Sequence, residues 1–332
     1  MKNRKINAVV IFTLTLVVLV LAFKDDFSSK IMYLFSFNFW YLVLAFLMII
    51  IYYLLKGLVI YYCSKRFRND YKFGNAFKLI LDTQFVNGVT PFSSGGQPYQ
   101  IYRLKKQGFS IDKGTNIAIQ DFIVYQIALI LLGSLAIAAN QFLNLFPDNL
   151  FLKKLVIIGY IVNFVVIIVL FVIAFNKKGN KFLFDLIIKI GAKLKFIKDE
   201  KRFLMNSEIA ISNFHDSAVK LMDSKFHFVR IIFINFVALI VLYLIPFVLI
   251  LGLGEYINPL YAIITSSYVM LIGSFIPTPG GSGGLEYSFT VFFGAFIVGS
   301  KLSIIMIAWR FITYYFGLIV GAISINTREE EK

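Results

Sequence analysis

The sequence predicts an all-α integral membrane protein, a polytopic helical bundle with two inverted repeats, each containing a re-entrant element broken at glycine and proline. Three observations predict it. The 332 residues are 59% hydrophobic and 17% aromatic, well above the roughly 45–50% apolar share of soluble domains. Several apolar runs reach the roughly 20 residues that a helix needs to cross about 30 Å of hydrocarbon. Two related Gly/Pro stretches, "TPFSSGGQ" from Thr90 and "TPGGSGGL" from Thr278, interrupt shorter apolar pieces.

Taken in order, full crossings are expected near residues 6–23, 36–60, 115–139, 153–175, 229–252 and 302–325, with shorter apolar pieces near 76–89, 259–276 and 286–300. Lys2, Arg4 and Lys5 precede the first run, which reads as an uncleaved anchor with a cytoplasmic N-terminus. Further basic residues follow the second run (Lys65, Arg66, Arg68, Lys72), fill Arg103 to Lys113, and extend from Lys177 to Lys225. The positive-inside rule puts these regions, and by alternation the C-terminus, in the cytoplasm. The chain reads as one membrane domain, 1–332: a first repeat half with extra helices (1–176), a basic amphipathic cytoplasmic segment (177–228) and a second repeat half (229–332).

A net charge of +15 could suit nucleic acid, but its placement in loops between apolar runs points to anionic lipid headgroups instead. Cys63 is the only cysteine, so no intrachain disulfide can form. His215 and His227 lie in or beside a basic loop, at a spacing that fits no usual metal motif, and read as solvated surface residues. No phosphate-binding loop or His-Glu-x-x-His pattern occurs. No cofactor is expected.

The two broken stretches match in register at Thr, Pro, Ser, Gly and Gly. The expected topology brings the first element (about 73–102) in from the cytoplasm and the second (about 259–300) from outside, which makes an inverted repeat. Paired broken segments of this kind point to a transport site near the membrane midplane. Backbone that leaves the helix at that depth must be buried in protein or line a wet cavity. Glycines opening a helix can turn N–H groups and the positive end of the helix dipole toward an anion such as a phosphate headgroup. The candidate donors are Gly280, Gly281, Ser282, Gly283 and Gly284, with Thr278 before them, and Gly95 and Gly96 in the first element. Beside the latter stand Gln97, Tyr99 and Arg103, suited to an anionic headgroup at the inner leaflet. Charges at membrane depth persist mainly for a reason, and three stand out: Glu286, Arg310 and Asp121. Asp121 lies 31 residues beyond Thr90 and Arg310 lies 32 beyond Thr278. A direct Asp121–Arg310 charge pair is therefore expected, with Glu286 or a substrate phosphate as the other partners open to Arg310. Gly317-x-x-x-Gly321 permits close helix packing.

At "TPFSSGGQPYQIYRLKKQG", "IPTPGGSGGLE" and Trp309–Arg310 with its following tyrosines, the sequence resembles the transmembrane, flippase-like region of bacterial lysylphosphatidylglycerol synthases over nearly the whole chain. The resemblance implies a bacterial plasma-membrane protein that moves an anionic or aminoacylated phospholipid, or a related lipid carrier, between leaflets. In full-length members such activity underlies resistance to cationic antimicrobial peptides, and lysyl transfer belongs to a separate soluble domain. Because the chain ends at Lys332, a transporter and not an enzyme is expected here. The alternative is a membrane component of lysylphosphatidylglycerol synthesis, as a lipid-modifying enzyme or a scaffold for a separate synthase. Gln97 stands where some relatives carry a carboxylate.

Overall fold

A computed structural model describes residues 36–146, 150–175, 215, 219 and 223–326. The first expected crossing and nearly all of the basic segment 177–228 lie outside the described residues. Within them the chain is helical, and no strand is found; two prolines, Pro91 and Pro279, face each other as an isolated antiparallel bridge.

The helices are α1 (Phe39–Lys65), α2 (Phe73–Val89), α3 (Gly96–Lys106), α4 (Ile111–Leu143), α5 (Leu150–Phe175), α6 (Lys225–Tyr243), α7 (Ile245–Gly252), α8 (Pro259–Gly273), α9 (Gly284–Phe293), α10 (Gly299–Arg310), a π-helical turn (Phe311–Tyr315) and α11 (Phe316–Asn326). Five stretches are long and apolar enough to cross a membrane: α1, α4, residues Lys153–Val172 of α5, the kinked α6–α7 pair and α10 through α11. Pro246 explains the kink, since its ring cannot continue the hydrogen bonding of α6 into α7.

The remaining helices are too short to cross. At 1.5 Å per residue, α2 and α8 span about 25 Å and 22 Å, and α3 and α9 only about 16 Å and 15 Å. They pair as α2–α3 and α8–α9, each pair joined at one of the broken stretches. Both halves thus run in one order: long helix, short helix, break, short helix, long helix.

Local chemistry sets the helix starts. Asn38 accepts from the Trp40 N–H at 3.1 Å and Asn258 from the Leu260 N–H at 2.9 Å, with Pro259 at the first helical position. The Asn38 N–H donates to the Gly252 carbonyl at 2.8 Å, which ties the start of α1 to the end of α7. α1 packs on α2 and α6, α4 on α3, α6 and α8, and α11 on α2. The Gly317/Gly321 face makes this last contact close. A Cβ on Gly321 would stand 2.5 Å from the Leu81 carbonyl oxygen and 2.8 Å from the Phe85 nitrogen. His227 departs from the expected surface position: it is buried in the first turn of α6, with Nδ1 3.4 Å from Arg230 Nη2.

Candidate functional site

The two breaks fold as near copies. Phe92 and Ser93 have φ of 54° and 53°, and their counterparts Gly280 and Gly281 have 60° and 65°. Ser93 N–H donates to Thr90 O (3.2 Å) and Ser94 N–H to Pro91 O (3.1 Å); Gly281 N–H donates to Thr278 O (3.0 Å) and Ser282 N–H to Pro279 O (3.2 Å). Tyr99 N–H reaches Gly95 O and Tyr287 N–H reaches Gly283 O, each at 3.1 Å, as α3 and α9 begin at the equivalent Gly96 and Gly284. The left-handed backbone falls on glycines only in the second copy, and Gly280 has a second constraint there. An added Cβ would sit 2.1 Å from the Tyr314 ring.

The expected role of these glycines as anion donors is corrected in part. The N–H groups of Gly281 and Ser282 close the turn, and that of Gly283 donates to Glu286 Oε2 at 2.7 Å. The anion at the start of α9 is thus the protein's own carboxylate, placed three residues on as in a capping box. In the first break the Gly95 N–H donates to Thr90 Oγ1 at 3.1 Å.

The expected Asp121–Arg310 pair is also corrected, because each residue has a nearer partner. Arg310 Nε lies 2.7 Å from Glu286 Oε1 as an ion pair, and Nη2 donates to Gly280 O at 3.1 Å and Ser282 Oγ at 3.2 Å. Its guanidinium sits 4.5 Å from the centre of the Tyr314 ring, whose hydroxyl donates to Gly88 O at 3.0 Å. One side chain thereby fastens the second break, and its neighbour fastens α2 to the π turn.

Asp121 instead pairs with Lys56, whose Nζ lies 2.8 Å from Oδ1 and also donates to Asn235 Oδ1 at 2.9 Å. Gln100 Nε2 donates to Asp121 Oδ2 at 3.4 Å. This cluster draws α1, α3, α4 and α6 together, and Lys56 is only 7% exposed. Sequence reasoning passed over Lys56. The signal was present as a single cation in an otherwise apolar stretch of α1.

Arg103, expected to face a phosphate, is 3.0 Å from Asp82 Oδ2. Asp82 is fully buried and also accepts from Ser324 Oγ at 2.5 Å and from the Tyr99 hydroxyl at 3.5 Å. Tyr99 and Arg103 thus belong to an anchoring cluster that joins α2, α3 and α11.

A cavity of about 840 Å³ opens between the two breaks. Of the expected site residues it is lined by Gly96, Gln97, Asp121, Thr278, Gly280, Gly281 and Arg310. Gly95, Tyr99, Arg103, Ser282, Gly283, Gly284 and Glu286 lie outside its lining. Lys56, Gln100 and Tyr314 are among its other polar lining residues, with Trp309, Leu129 and Met270 among the apolar ones. The lining is thus contributed by both halves of the chain and carries both signs of charge.

Comparison with known proteins agrees with this architecture. The profile of the family described as the lysylphosphatidylglycerol synthase TM region matches residues 6–321. A protein of Archaeoglobus fulgidus described as a UPF0104 membrane protein is 26% identical over 291 residues, covering 87% of each chain.

Proposed function

The chain belongs to the lysylphosphatidylglycerol synthase transmembrane-region family, and from that premise we propose that this multi-pass protein moves a lipid with an anionic or aminoacylated headgroup between the leaflets of the cell membrane. The observation that carries the proposal is the cavity bounded by both broken elements and lined by Lys56, Asp121 and Arg310. Ionised groups at membrane depth are costly and face protein or water. A cavity that sets a few charged and amide groups in a mostly apolar wall suits a headgroup whose tails stay in lipid.

Arg310 would meet the phosphate. Glu286, fixed by the Gly283 N–H, holds the guanidinium in place before the lipid arrives. Lys56 and Asp121 form a second pair on the lining, held by Asn235 and Gln100. None of these steps is covalent.

Alternating access follows if the halves form an inverted repeat with cytoplasmic termini. The antiparallel bridge supports this, because Pro91 and Pro279 are equivalent in the two copies, and antiparallel pairing of equivalent residues is what a local two-fold axis generates. Rocking one half about that contact would open the cavity to each leaflet in turn.

A photoreactive headgroup on an anionic phospholipid, in liposomes containing the protein, tests the site. Adducts are expected in residues 92–100 and 278–285, and unlabelled anionic lipid should suppress them. Adducts confined to the basic loops, with none in either break, would refute the proposal.

A further inference from the structure

Building on the headgroup cavity just proposed, we infer that it accepts a phosphate linked to an uncharged, hydroxyl-bearing group such as glycerol or a sugar ring, and disfavours a headgroup ending in a free ammonium. Charge balance is the first argument. Asp121 is the carboxylate on the lining, and it is already engaged by Lys56 at 2.8 Å and Gln100 at 3.4 Å. Glu286 is engaged by Arg310 and the Gly283 N–H. An incoming ammonium would have to displace a buried cation from its carboxylate in a cavity that already holds Lys56 and Arg310, where like charges repel strongly.

Unused hydrogen-bonding capacity is the second argument. Gln100 is 4% exposed and lines the cavity, yet its Oε1 has no partner; Asn87 Oδ1, also on a lining residue, is buried without one. The orientation of Gln100 is fixed, because its amide nitrogen faces Asp121 and turning the amide over would set oxygen against carboxylate. Buried acceptors without donors are uncommon in folded proteins and ask for an O–H or N–H from a ligand or water. Ser94, Gln97, Gln126 and Thr313 add neutral polar groups to the lining. Such amides and hydroxyls can both donate to and accept from a polyol, and they supply none of the negative charge that a second ammonium needs.

Native mass spectrometry of the purified protein in detergent tests this with dioctanoyl lipids in competition: phosphatidylglycerol, phosphatidylinositol, phosphatidic acid and the lysyl ester of phosphatidylglycerol. At least one of the two polyol lipids is expected to bind about tenfold more tightly than phosphatidic acid and than the lysyl ester, roughly the worth of one hydrogen bond to a buried acceptor. Which of the two leads separates a glycerol from a ring. Gln100→Leu should remove most of the preference for the polyol lipids over phosphatidic acid, and Asn87→Ala should move them the same way. Equal or tighter binding of the lysyl ester would overturn the inference, as would variants that weaken all four lipids alike. Binding and movement separate the two readings. Polyol-selective binding without leaflet exchange of any lipid would sink translocation alone, whereas exchange that favours the lysyl ester would sink the polyol inference alone.

Discussion

Arg310 is held by a carboxylate, a carbonyl, a hydroxyl and an aromatic face, and the four partners lie in the second break, in the first turn of α9 or one turn along its own span. That arrangement makes Gly280 critical, since it supplies the carbonyl and leaves room for the Tyr314 ring. Gly280→Ala should strain a backbone at φ 60° and displace the ring, costing about 1–3 kcal/mol, with lower thermal stability and loss of lipid exchange together. Stability and exchange both unchanged would contradict this account of the break. Lys56 gives a second prediction. Lys56→Met leaves Asp121 buried without its cation and should destabilise by about 3–5 kcal/mol, whereas Lys56→Met with Asp121→Leu should recover most of that loss. Thermal unfolding in detergent distinguishes the two outcomes; a double variant no better than the single one would show that the pair is not an isolated unit. Glu286 and Arg310 were legible because each interrupts an apolar run beside the glycines. Their pairing was less so. Glu286 directly follows the break and is turned back onto it by the helix start, and near-equal offsets from Thr90 and Thr278 say nothing of which neighbours lie closer in space.

The π turn at Phe311–Tyr315 directly follows Arg310. Such turns insert one residue into a helix and occur often at functional sites. It lets Arg310 and Trp309 line the cavity while Gly317 and Gly321 in the same span lie against α1 and α2. Deleting Phe311 should restore α-helical phase and turn one of these faces away. The variant is expected to keep its helix content by circular dichroism and lose lipid exchange; wild-type exchange would mean that the turn sets nothing at the cavity. Gly321→Ala should reduce thermal stability, because the atoms in its way belong to the α2 backbone and cannot rotate aside. The long helices were legible from apolar length, which the membrane imposes. Residue ends were less so: α4 runs over Ile111–Leu143, beyond the expected 115–139, since polar turns at each end continue the helix outside the apolar window. The π turn left no mark in the sequence, because one extra residue in a largely apolar span disturbs no clear pattern.

Across the whole molecule, the matched turns and their shared bridge argue for two halves of opposite orientation. Single cysteines in a Cys63→Ala background test it. Asp70→Cys lies in the α1–α2 connection and Tyr256→Cys in the α7–α8 connection, both at exposed positions. In sealed vesicles a membrane-impermeant maleimide should label one from outside and the other only after permeabilisation. Labelling from one side would exclude opposite orientation of the two re-entrant pairs. The matched turns were visible in the sequence through five residues, while the cavity was not, because its Lys56, Asp121 and Arg310 come from three helices far apart in the chain.

The central claim is movement of lipid through that cavity, and leaflet exchange of headgroup-labelled lipids in liposomes measures it most directly. The account predicts protein-dependent exchange that selects among headgroups and is abolished by both Glu286→Gln and Arg310→Gln. Exchange absent for every lipid, or equal and unselective in wild type and both variants, would contradict it.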